Sequence, residues 1–170
     1  MSARAILILG AAAIGIVAIS HAIPRIPRLI WNASPSVPIG LYGVHPDTPP
    51  HAGDLVAVSP PKPLGLYMAV RHYLPLGLPL LKHLAATAGA TVCRNRLDIV
   101  LNGHAVARAL PNDRKGRPLP DWQGCHRIKP GEVFLLNPAI PDSFDGRYFG
   151  TLPASSLLGR AVPLIVVATP

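Results

Sequence analysis

The fold is decided by a short stretch in the middle of the chain, Ile99-Val100-Leu101-Asn102-Gly103-His104-Ala105-Val106-Ala107. Two apolar runs flank the dipeptide Asn102-Gly103. A two-residue type I′ turn requires positive φ at both central positions, and Asn followed by Gly adopts it readily. The stretch therefore predicts a β-hairpin, and the hairpin favours a fold made of antiparallel strands.

Similar short apolar runs lie on both sides of this hairpin. Each is bounded by Pro, Gly or Asp, which is typical of strands that end in turns. A proline-interrupted apolar run over residues 74–84 is predicted to be either a short helix or a buried strand. Residues 111–127 are predicted to form a long polar loop, a kind of loop that often has a function or faces a partner. The predicted strands outside the hairpin cover residues 55–59, 66–70, 91–93, 133–136 and 157–167.

The composition indicates one folded domain with a sizeable core. The chain has 170 residues, of which 49% are hydrophobic and 14% charged, so it is too apolar for a disordered protein. Its 21 prolines leave hardly any uninterrupted helical window after residue 23, because proline removes a backbone donor and clashes with the preceding turn. A helix bundle is excluded, and the predicted fold class is mainly β.

The charge balance alone does not identify a partner. A net charge of +8 suits nucleic acid, anionic lipid or an acidic protein. The basic residues are scattered, and aromatic residues make up only 5% of the chain, so surfaces on which bases stack are scarce. We therefore expect no nucleic-acid partner.

The N-terminal segment is predicted to cross a membrane. Residues 5–23 contain no acid or base except His21, and as a helix they reach about the thickness of a bilayer core. A cleaved signal peptide is the alternative, although Ser20-His21-Ala22 is a poor cleavage site. We favour an uncleaved signal anchor over residues 1–24, followed by the folded domain over residues 25–170.

Two cysteines, Cys93 and Cys125, each lie beside a different predicted strand. In an exported domain they would form a disulfide, and closing a loop of 32 residues would stabilise the fold by about 3 to 4 kcal/mol. Two free thiols in a reducing compartment are the alternative. No paired CxxC or HExxH spacing supplies metal ligands, so we expect neither a metal site nor a cofactor.

Lys82 is the one lysine of four in apolar sequence, Leu80-Leu81-Lys82-His83-Leu84. The other three, Lys62, Lys115 and Lys129, lie in proline-rich or polar surroundings. Burial disfavours the charged form of a lysine and lowers its pKa, and a neutral lysine is a usable general base near pH 7. The alternative is a lysine whose stem covers the core while its ammonium reaches water.

Ser36 is the candidate nucleophile, because Pro35 and Pro38 fix the chain around it in an extended, rigid form. Ser34 projects to the same side of an extended chain. Its hydroxyl and the Ser36 backbone amide would together stabilise an oxyanion. The alternative is a Ser/Pro-rich stalk between a membrane and the folded domain.

Four stretches follow one another along the chain: SPSVPIGLY at 34–42, LLKH at 80–83, DSFDGRYFG at 142–150 and LGRA at 158–161. In this order they resemble the successive boxes of the S26 signal peptidases, and most closely the TraF-type branch that processes pilin precursors in conjugative transfer. The resemblance implies that Ser36 is the nucleophile, Lys82 the general base, Ser34 an oxyanion-hole hydroxyl and Ser143 the hydroxyl that orients the lysine amine. It also implies a transmembrane helix followed by a β-rich catalytic domain.

The function implied is that of a membrane-anchored serine endopeptidase that removes signal or leader sequences from exported precursors. By the same resemblance, the chain is expected to be a single-pass protein of the bacterial inner membrane with its catalytic domain in the periplasm. The expected partners are a pilin-like precursor, membrane lipid and components of a conjugation or type IV secretion machine. A non-catalytic membrane-anchored scaffold of such a machine is the alternative.

Overall fold

The computed structural model describes residues 3–22 and 26–167. Within them the chain forms three α-helices, one short 3-10 helix and eleven strands, so the fold is mainly β as predicted. The helices are α1 (Ala3–Ala22), α2 (Lys62–Val70), α3 (Gly146–Phe149) and the 3-10 turn Ala154–Ser156. The strands are β1 (Leu29–Asn32), β2 (Gly40–His45), β3 (Leu55–Val58), β4 (Leu80–Ala86), β5 (Thr91–Asn95), β6 (Asp98–Leu101), β7 (His104–Arg108), β8 (Gly124–Arg127), β9 (Glu132–Leu136), β10 (Thr151–Pro153) and β11 (Leu157–Val166).

The strands form two antiparallel sheets. The larger sheet has seven strands in the order β1-β2-β11-β3-β4-β9-β10, and the smaller has four in the order β7-β6-β5-β8. Strand β4 lies between β3 and β9, with Lys82 opposite Val56 and His83 opposite Leu136. This central place in the larger sheet is what buries the Lys82 side chain.

The core occupies both faces of the larger sheet, as the side chains of β9 show. Val133 and Leu135 pack into a cluster with Met68 of α2, whereas Phe134 and Leu136 pack with residues of the smaller sheet. This division follows from the two-residue period of a strand, which sends alternate side chains to opposite faces. Strand β9 is therefore apolar on both faces because it is covered on both.

The hairpin predicted from Asn102-Gly103 is confirmed. Both turn residues have positive φ, 50° for Asn102 and 84° for Gly103, and Leu101 pairs with His104 across the turn. The Asn102 side chain also accepts a hydrogen bond from the backbone N–H of Thr91 at 2.8 Å. The turn therefore closes the β6–β7 hairpin and ties it to β5.

Three local predictions need correction or completion. Residues 66–70, predicted as a strand, belong to α2, because Pro63 suits the first turn of a helix and Leu64 and Met68 then face the core one turn apart. The apolar run over residues 74–84 supplies the start of β4. The predicted loop over residues 111–127 ends in a strand, β8, which pairs with β5.

Residues 3–22 form the helix α1, over most of the segment predicted as an anchor. Ile23, the last residue of that segment, lies outside the described residues. Among the residues that are described, no helix is both long enough and apolar enough to cross a membrane, so the predicted transmembrane helix is not found.

Cys93 and Cys125 form a disulfide between β5 and β8, where the two residues lie directly opposite each other. Of the two alternatives left open by the sequence, the bonded pair is the one present. The bond joins the middle of the smaller sheet to its edge strand.

Candidate active site

The segment that carries Ser36 connects β1 to β2, and its two serines are in contact. The Ser34 and Ser36 hydroxyl oxygens lie 3.0 Å apart. Asn32, the last residue of β1, accepts hydrogen bonds through Oδ1 from both the backbone N–H of Ser34 (3.2 Å) and its hydroxyl (3.0 Å). A hydroxyl has one proton, so when Ser34 donates to Asn32 the Ser36 hydroxyl is the donor between the two serines.

Asn32 also holds this segment through its amide nitrogen. Nδ2 donates to the carbonyl oxygens of Ser34 (2.8 Å), Val37 (3.0 Å) and Pro38 (3.1 Å). The Tyr42 hydroxyl donates to the Pro38 carbonyl at 2.6 Å. The rigidity predicted from the prolines therefore has a second source, a buried side-chain amide that satisfies the carbonyl groups of the turn.

The Ser36 backbone N–H is available for a ligand. Within the described residues no hydrogen bond engages it, and the Ser36 side chain is only partly buried. An unengaged N–H beside a hydroxyl is a suitable donor for a developing oxyanion. The predicted partner donor, the Ser34 hydroxyl, has to turn away from Asn32 before it can act in the same way.

Lys82 is buried, with only 3% of its surface exposed, and its Nζ donates to the Ser143 hydroxyl oxygen at 2.8 Å. Burial lowers the pKa of Lys82 from its usual 10.5 to about 8; the nearby Asp145 carboxylate raises it and the Arg147 guanidinium lowers it. The alternative of a lysine that reaches water is therefore wrong for this fold. An amine with this pKa is partly neutral at pH 7 to 8 and has a lone pair to accept a proton.

Asp145 and Arg147 form a buried ion pair behind Lys82. Arg147 Nε and Nη2 donate to the two oxygens of the Asp145 carboxylate, at 2.9 and 2.8 Å. Both side chains are fully buried, and Arg147 also donates to the carbonyl oxygens of Pro141, Asn137 and Ile140. Because every charge has a partner, the pair can lie in the core and fix the turn that carries Ser143.

The structure brings the four predicted site residues together as two pairs. Lys82 is hydrogen-bonded to Ser143, and Ser34 is hydrogen-bonded to Ser36. Within the described residues, Lys82 Nζ makes no hydrogen bond to Ser36. The two pairs are joined through Asn137, whose side chain donates to the Ser36 carbonyl oxygen at 2.7 Å and accepts from the His83 backbone N–H at 3.0 Å.

A cleft of about 580 Å³ opens beside Ser36. Both sheets form its walls, because Leu84 comes from β4 whereas Leu101 and Val106 come from the β6–β7 hairpin. A mostly apolar cleft with a few polar groups at one end suits an extended peptide with small or apolar side chains. The remaining residues that line it are Pro35, Val37, Pro38, Ile39, Gly53, His83, Ala85, Leu136, Asn137, Pro138, Ala139 and Ile140.

The arrangement supplies the groups that acyl transfer needs: a hydroxyl, an amine with a lowered pKa, an unengaged backbone N–H and a cleft. Within residues 3–22 and 26–167, no three His, Cys, Asp or Glu side chains lie close enough to hold a metal ion. The three lysines in proline-rich or polar sequence are exposed, as that context predicts; they are Lys62, Lys115 and Lys129.

Two asparagines of the site were not predicted from the sequence, although each left a signal. Asn32 lies two residues after Ile30 and shares its buried side of β1, an unusual place for an amide. Asn137 directly follows the apolar run of β9 and precedes a proline. A polar residue at a buried strand position indicates either a functional site or a specific hydrogen-bond role.

Comparison with known proteins finds matches to one family of peptidases. The chain matches the family described as "Signal peptidase, peptidase S26" over residues 2–166. It is 36% identical over 148 residues to a "Probable conjugal transfer protein TraF" of Sinorhizobium fredii, covering 81% of this chain and 77% of that protein. It is 38% identical over 144 residues to a "Conjugal transfer protein TraF" of Agrobacterium fabrum, covering 78% of this chain and 80% of that protein.

Among solved structures, the chain is similar to the crystal structure of a signal peptidase I from Enterococcus faecalis V583. The identity is 20% and the TM-score 0.40, with 66% of this chain and 97% of that chain covered. The extent of the family match and the identity to the TraF proteins are sufficient to assign the family. The chain belongs to the S26 signal peptidase family and, within it, resembles the TraF proteins of conjugal transfer.

Proposed function

We propose that the chain is a serine endopeptidase in which Ser36 is the nucleophile and Lys82 the general base. The observation that carries this proposal is the buried Lys82 amine, with a pKa lowered to about 8 and a hydrogen bond to Ser143, in a chain of a peptidase family. A structural lysine has no need to be neutral, whereas a general base does.

The proposed reaction begins when substrate enters the cleft and the Ser36 hydroxyl turns from Ser34 towards Lys82. The neutral Lys82 amine takes the Ser36 proton while Oγ attacks the scissile carbonyl carbon. The resulting ammonium gives its proton to the leaving amine as the peptide C–N bond breaks. Water then attacks the carbonyl carbon of the acyl-enzyme and loses a proton to Lys82. The Lys82 ammonium returns this proton to Ser36 Oγ as the ester C–O bond breaks, which releases the carboxyl product and restores the Ser36 hydroxyl and the neutral amine.

The oxyanion of each tetrahedral intermediate is proposed to accept hydrogen bonds from the Ser36 N–H and the Ser34 hydroxyl. The Ser36 N–H is unengaged within the described residues, which supports this role. For Ser34, the hydroxyl exchanges its bond to Asn32 for one to the oxyanion. In a serine peptidase one donor of this kind raises kcat by a factor of about 10² to 10³.

The proposed substrate is an exported precursor with small side chains before the scissile bond, and specifically a pilin-like precursor of a conjugation system. Two features support this: the mostly apolar cleft beside Ser36, and the identity to proteins named for conjugal transfer. The precursor would bind as an extended strand beside Ser36, because a cleft bordered by strands offers backbone partners to such a segment.

We also propose that residues 1–24 anchor the chain in the bacterial inner membrane and that residues 25–170 work on its periplasmic side. The Cys93–Cys125 disulfide supports an oxidising compartment. Trp31 and Ile165 both lie opposite Leu41 at the same end of the larger sheet, and both are more than half exposed. Exposed apolar residues at one end of the sheet, where Trp31 follows the N-terminal segment by a few residues, suit contact with lipid.

The test of the peptidase activity uses the purified full chain in detergent with a peptide that has alanine before the scissile bond. Ser36→Ala and Lys82→Arg are each expected to abolish cleavage, since arginine stays protonated in proteins. Ser155→Ala and Lys129→Arg, at exposed positions, are matched controls and should cleave normally. Cleavage that survives in either site variant would refute the assigned roles, and a wild-type chain that cleaves nothing would favour a scaffold.

A further inference from the structure

Asn137 lies where three parts of the candidate active site meet. It is the first residue after β9, and only 2% of its surface is exposed. A buried asparagine needs partners for both the donor and the acceptor end of its side-chain amide. Asn137 has both, and each partner belongs to a different part of the site.

The side-chain amide joins the nucleophile to the strand of the base. Nδ2 donates to the Ser36 carbonyl oxygen at 2.7 Å, and Oδ1 accepts from the backbone N–H of His83, the residue after Lys82, at 3.0 Å. An amide group is planar and rigid, so these two bonds fix the distance between the Ser36 main chain and strand β4.

The backbone of Asn137 is itself held by the buried ion pair. Its N–H donates to Asp145 Oδ2 at 3.0 Å, and its carbonyl oxygen accepts from Arg147 Nη2 at 3.1 Å. These contacts prevent Asn137 from following a displacement of the Ser36 segment. The ion pair therefore holds the Asn137 backbone, and the Asn137 side chain holds the Ser36 segment.

We propose that Asn137 is a positioning residue that holds Ser36 in place relative to Lys82. The proposal rests on the dyad proposed above, and it explains how the two residues keep their relative position although no hydrogen bond joins them directly. Proton transfer and attack need the reacting atoms placed to within a fraction of an ångström, and a displacement of about 1 Å costs about 100-fold in rate. Asn137 also lines the cleft, but only 2% of its surface is exposed, so we expect its replacement to disturb the placement of Ser36 more than substrate binding.

The test measures kcat and KM of the Asn137→Ala and Asn137→Asp variants and of the wild-type chain, each full-length and in detergent, on the alanine-containing peptide. Asn137→Ala is expected to lower kcat about tenfold to a hundredfold per folded molecule while KM changes less than about twofold. Asn137→Asp keeps an acceptor oxygen for the His83 N–H. It replaces the donor to Ser36 with a second oxygen, which the Ser36 carbonyl oxygen repels. Its kcat is expected to fall at least as far.

Asn112→Asp, at an exposed position, is the control for the chemical change and should keep the wild-type kcat. Circular dichroism and thermal melting give the folded fraction of each variant, from which kcat per folded molecule is obtained. If Asn137 is only structural, the variants melt earlier but keep the wild-type kcat per folded molecule, and the proposal is overturned. If Asn137→Asp alone keeps the wild-type kcat, the contact with Ser36 does not matter and the proposal also fails.

Failure of the dyad is separable from failure of this inference. When wild-type cleavage requires Ser36 and Lys82 but both Asn137 variants turn over normally, only the positioning role is refuted. When cleavage by the wild-type chain does not require Ser36, the dyad is refuted and the positioning role with it.

Discussion

The Lys82 amine and the Ser143 hydroxyl, which are 61 residues apart in the chain, lie 2.8 Å from each other in the buried part of the site. A neutral amine has two N–H groups and one lone pair. Donation of one N–H to Ser143 restricts the direction in which the lone pair points. The contact therefore restricts the orientation of the amine, which suits the lysine-orienting role that the family resemblance implies for Ser143.

Removal of this hydroxyl tests that role. Ser143→Ala is expected to lower kcat about tenfold to a hundredfold, because Lys82 loses the partner that fixes its lone pair, while stability falls by only about 1 kcal/mol. Steady-state kinetics and thermal melting measure the two effects. Ser155→Ala, at an exposed position, is the control. A wild-type kcat in Ser143→Ala would contradict the orienting role.

The activity should rise with pH through the pKa of Lys82. In the proposed mechanism the active form has a neutral Lys82 amine, so kcat/KM is expected to be lost as the pH falls below about 8 and to level off above it. The profile is measured on the alanine-containing peptide from pH 6 to 10. A profile that is flat between pH 7 and 9 would mean that no group with this pKa controls the reaction.

The same pKa predicts an effect on stability. Folding lowers the Lys82 pKa from its ordinary value of 10.5 to about 8, so the folded chain disfavours the proton that the unfolded chain binds. The resulting loss of stability develops as the pH falls from about 10.5 to about 8 and is constant below that. The difference corresponds to about 3 kcal/mol.

Lys82→Met isolates this effect, because methionine fills similar space without a charge. Relative to Lys82→Met, the wild-type chain should gain about 3 kcal/mol between pH 8 and 10.5, as measured by urea unfolding at each pH. Lys129→Met, at an exposed position, should show no such difference. Parallel stability curves for the wild-type chain and Lys82→Met would contradict the lowered pKa.

The disulfide is expected to stabilise the smaller sheet and, through it, the cleft. Replacing both Cys93 and Cys125 by serine should lower the free energy of unfolding by about 3 to 4 kcal/mol, from the entropy of the 32-residue loop. Leu101 and Val106 of this sheet line the cleft, so KM should rise more than kcat falls. Urea unfolding and steady-state kinetics measure both. Unchanged stability would show that the bond does not constrain the unfolded chain.

The sequence predicts the features that depend on local pattern. The Asn102-Gly103 hairpin follows from the φ values that its turn requires, and the isolation of Lys82 in apolar sequence predicts its burial. Where α2 lies the sequence predicts a strand, because a short apolar run has no period that distinguishes a helix from a strand. Order along the chain also cannot show that β11 pairs with both β2 and β3.

The groups that connect the site are the ones that the sequence does not predict. Asn137 contacts Ser36 across 101 residues, and nothing in its own neighbourhood indicates that partner. Asp145 and Arg147 lie within the stretch DSFDGRYFG, but their two-residue spacing does not show that a carboxylate and a guanidinium face each other in the core. Such contacts are set by the packing of the sheets and need the structure.

The side chain of Asn32 contacts both Ser34 and the main chain around Ser36, and these two contacts can be tested separately. Asn32 Oδ1 accepts the Ser34 hydroxyl proton, and Nδ2 holds three carbonyl groups of the same segment. Asn32→Asp keeps the acceptor for Ser34 but loses the three donations. Ser34→Ala removes the proposed oxyanion donor and is expected to lower kcat about 10²-fold to 10³-fold.

A double-mutant cycle between the two residues separates the roles. If Asn32 acts mainly through the Ser34 hydroxyl, then Asn32→Asp, which keeps the acceptor for that hydroxyl, costs little in kcat both in the wild-type chain and in the Ser34→Ala background. If Asn32 acts by holding the carbonyl groups around Ser36, the two losses multiply. We expect the losses to multiply, because the Asn32 side chain donates three of its five hydrogen bonds to those carbonyl groups and accepts only one from the Ser34 hydroxyl. A double variant as active as Ser34→Ala alone would show instead that Asn32 acts through the Ser34 hydroxyl.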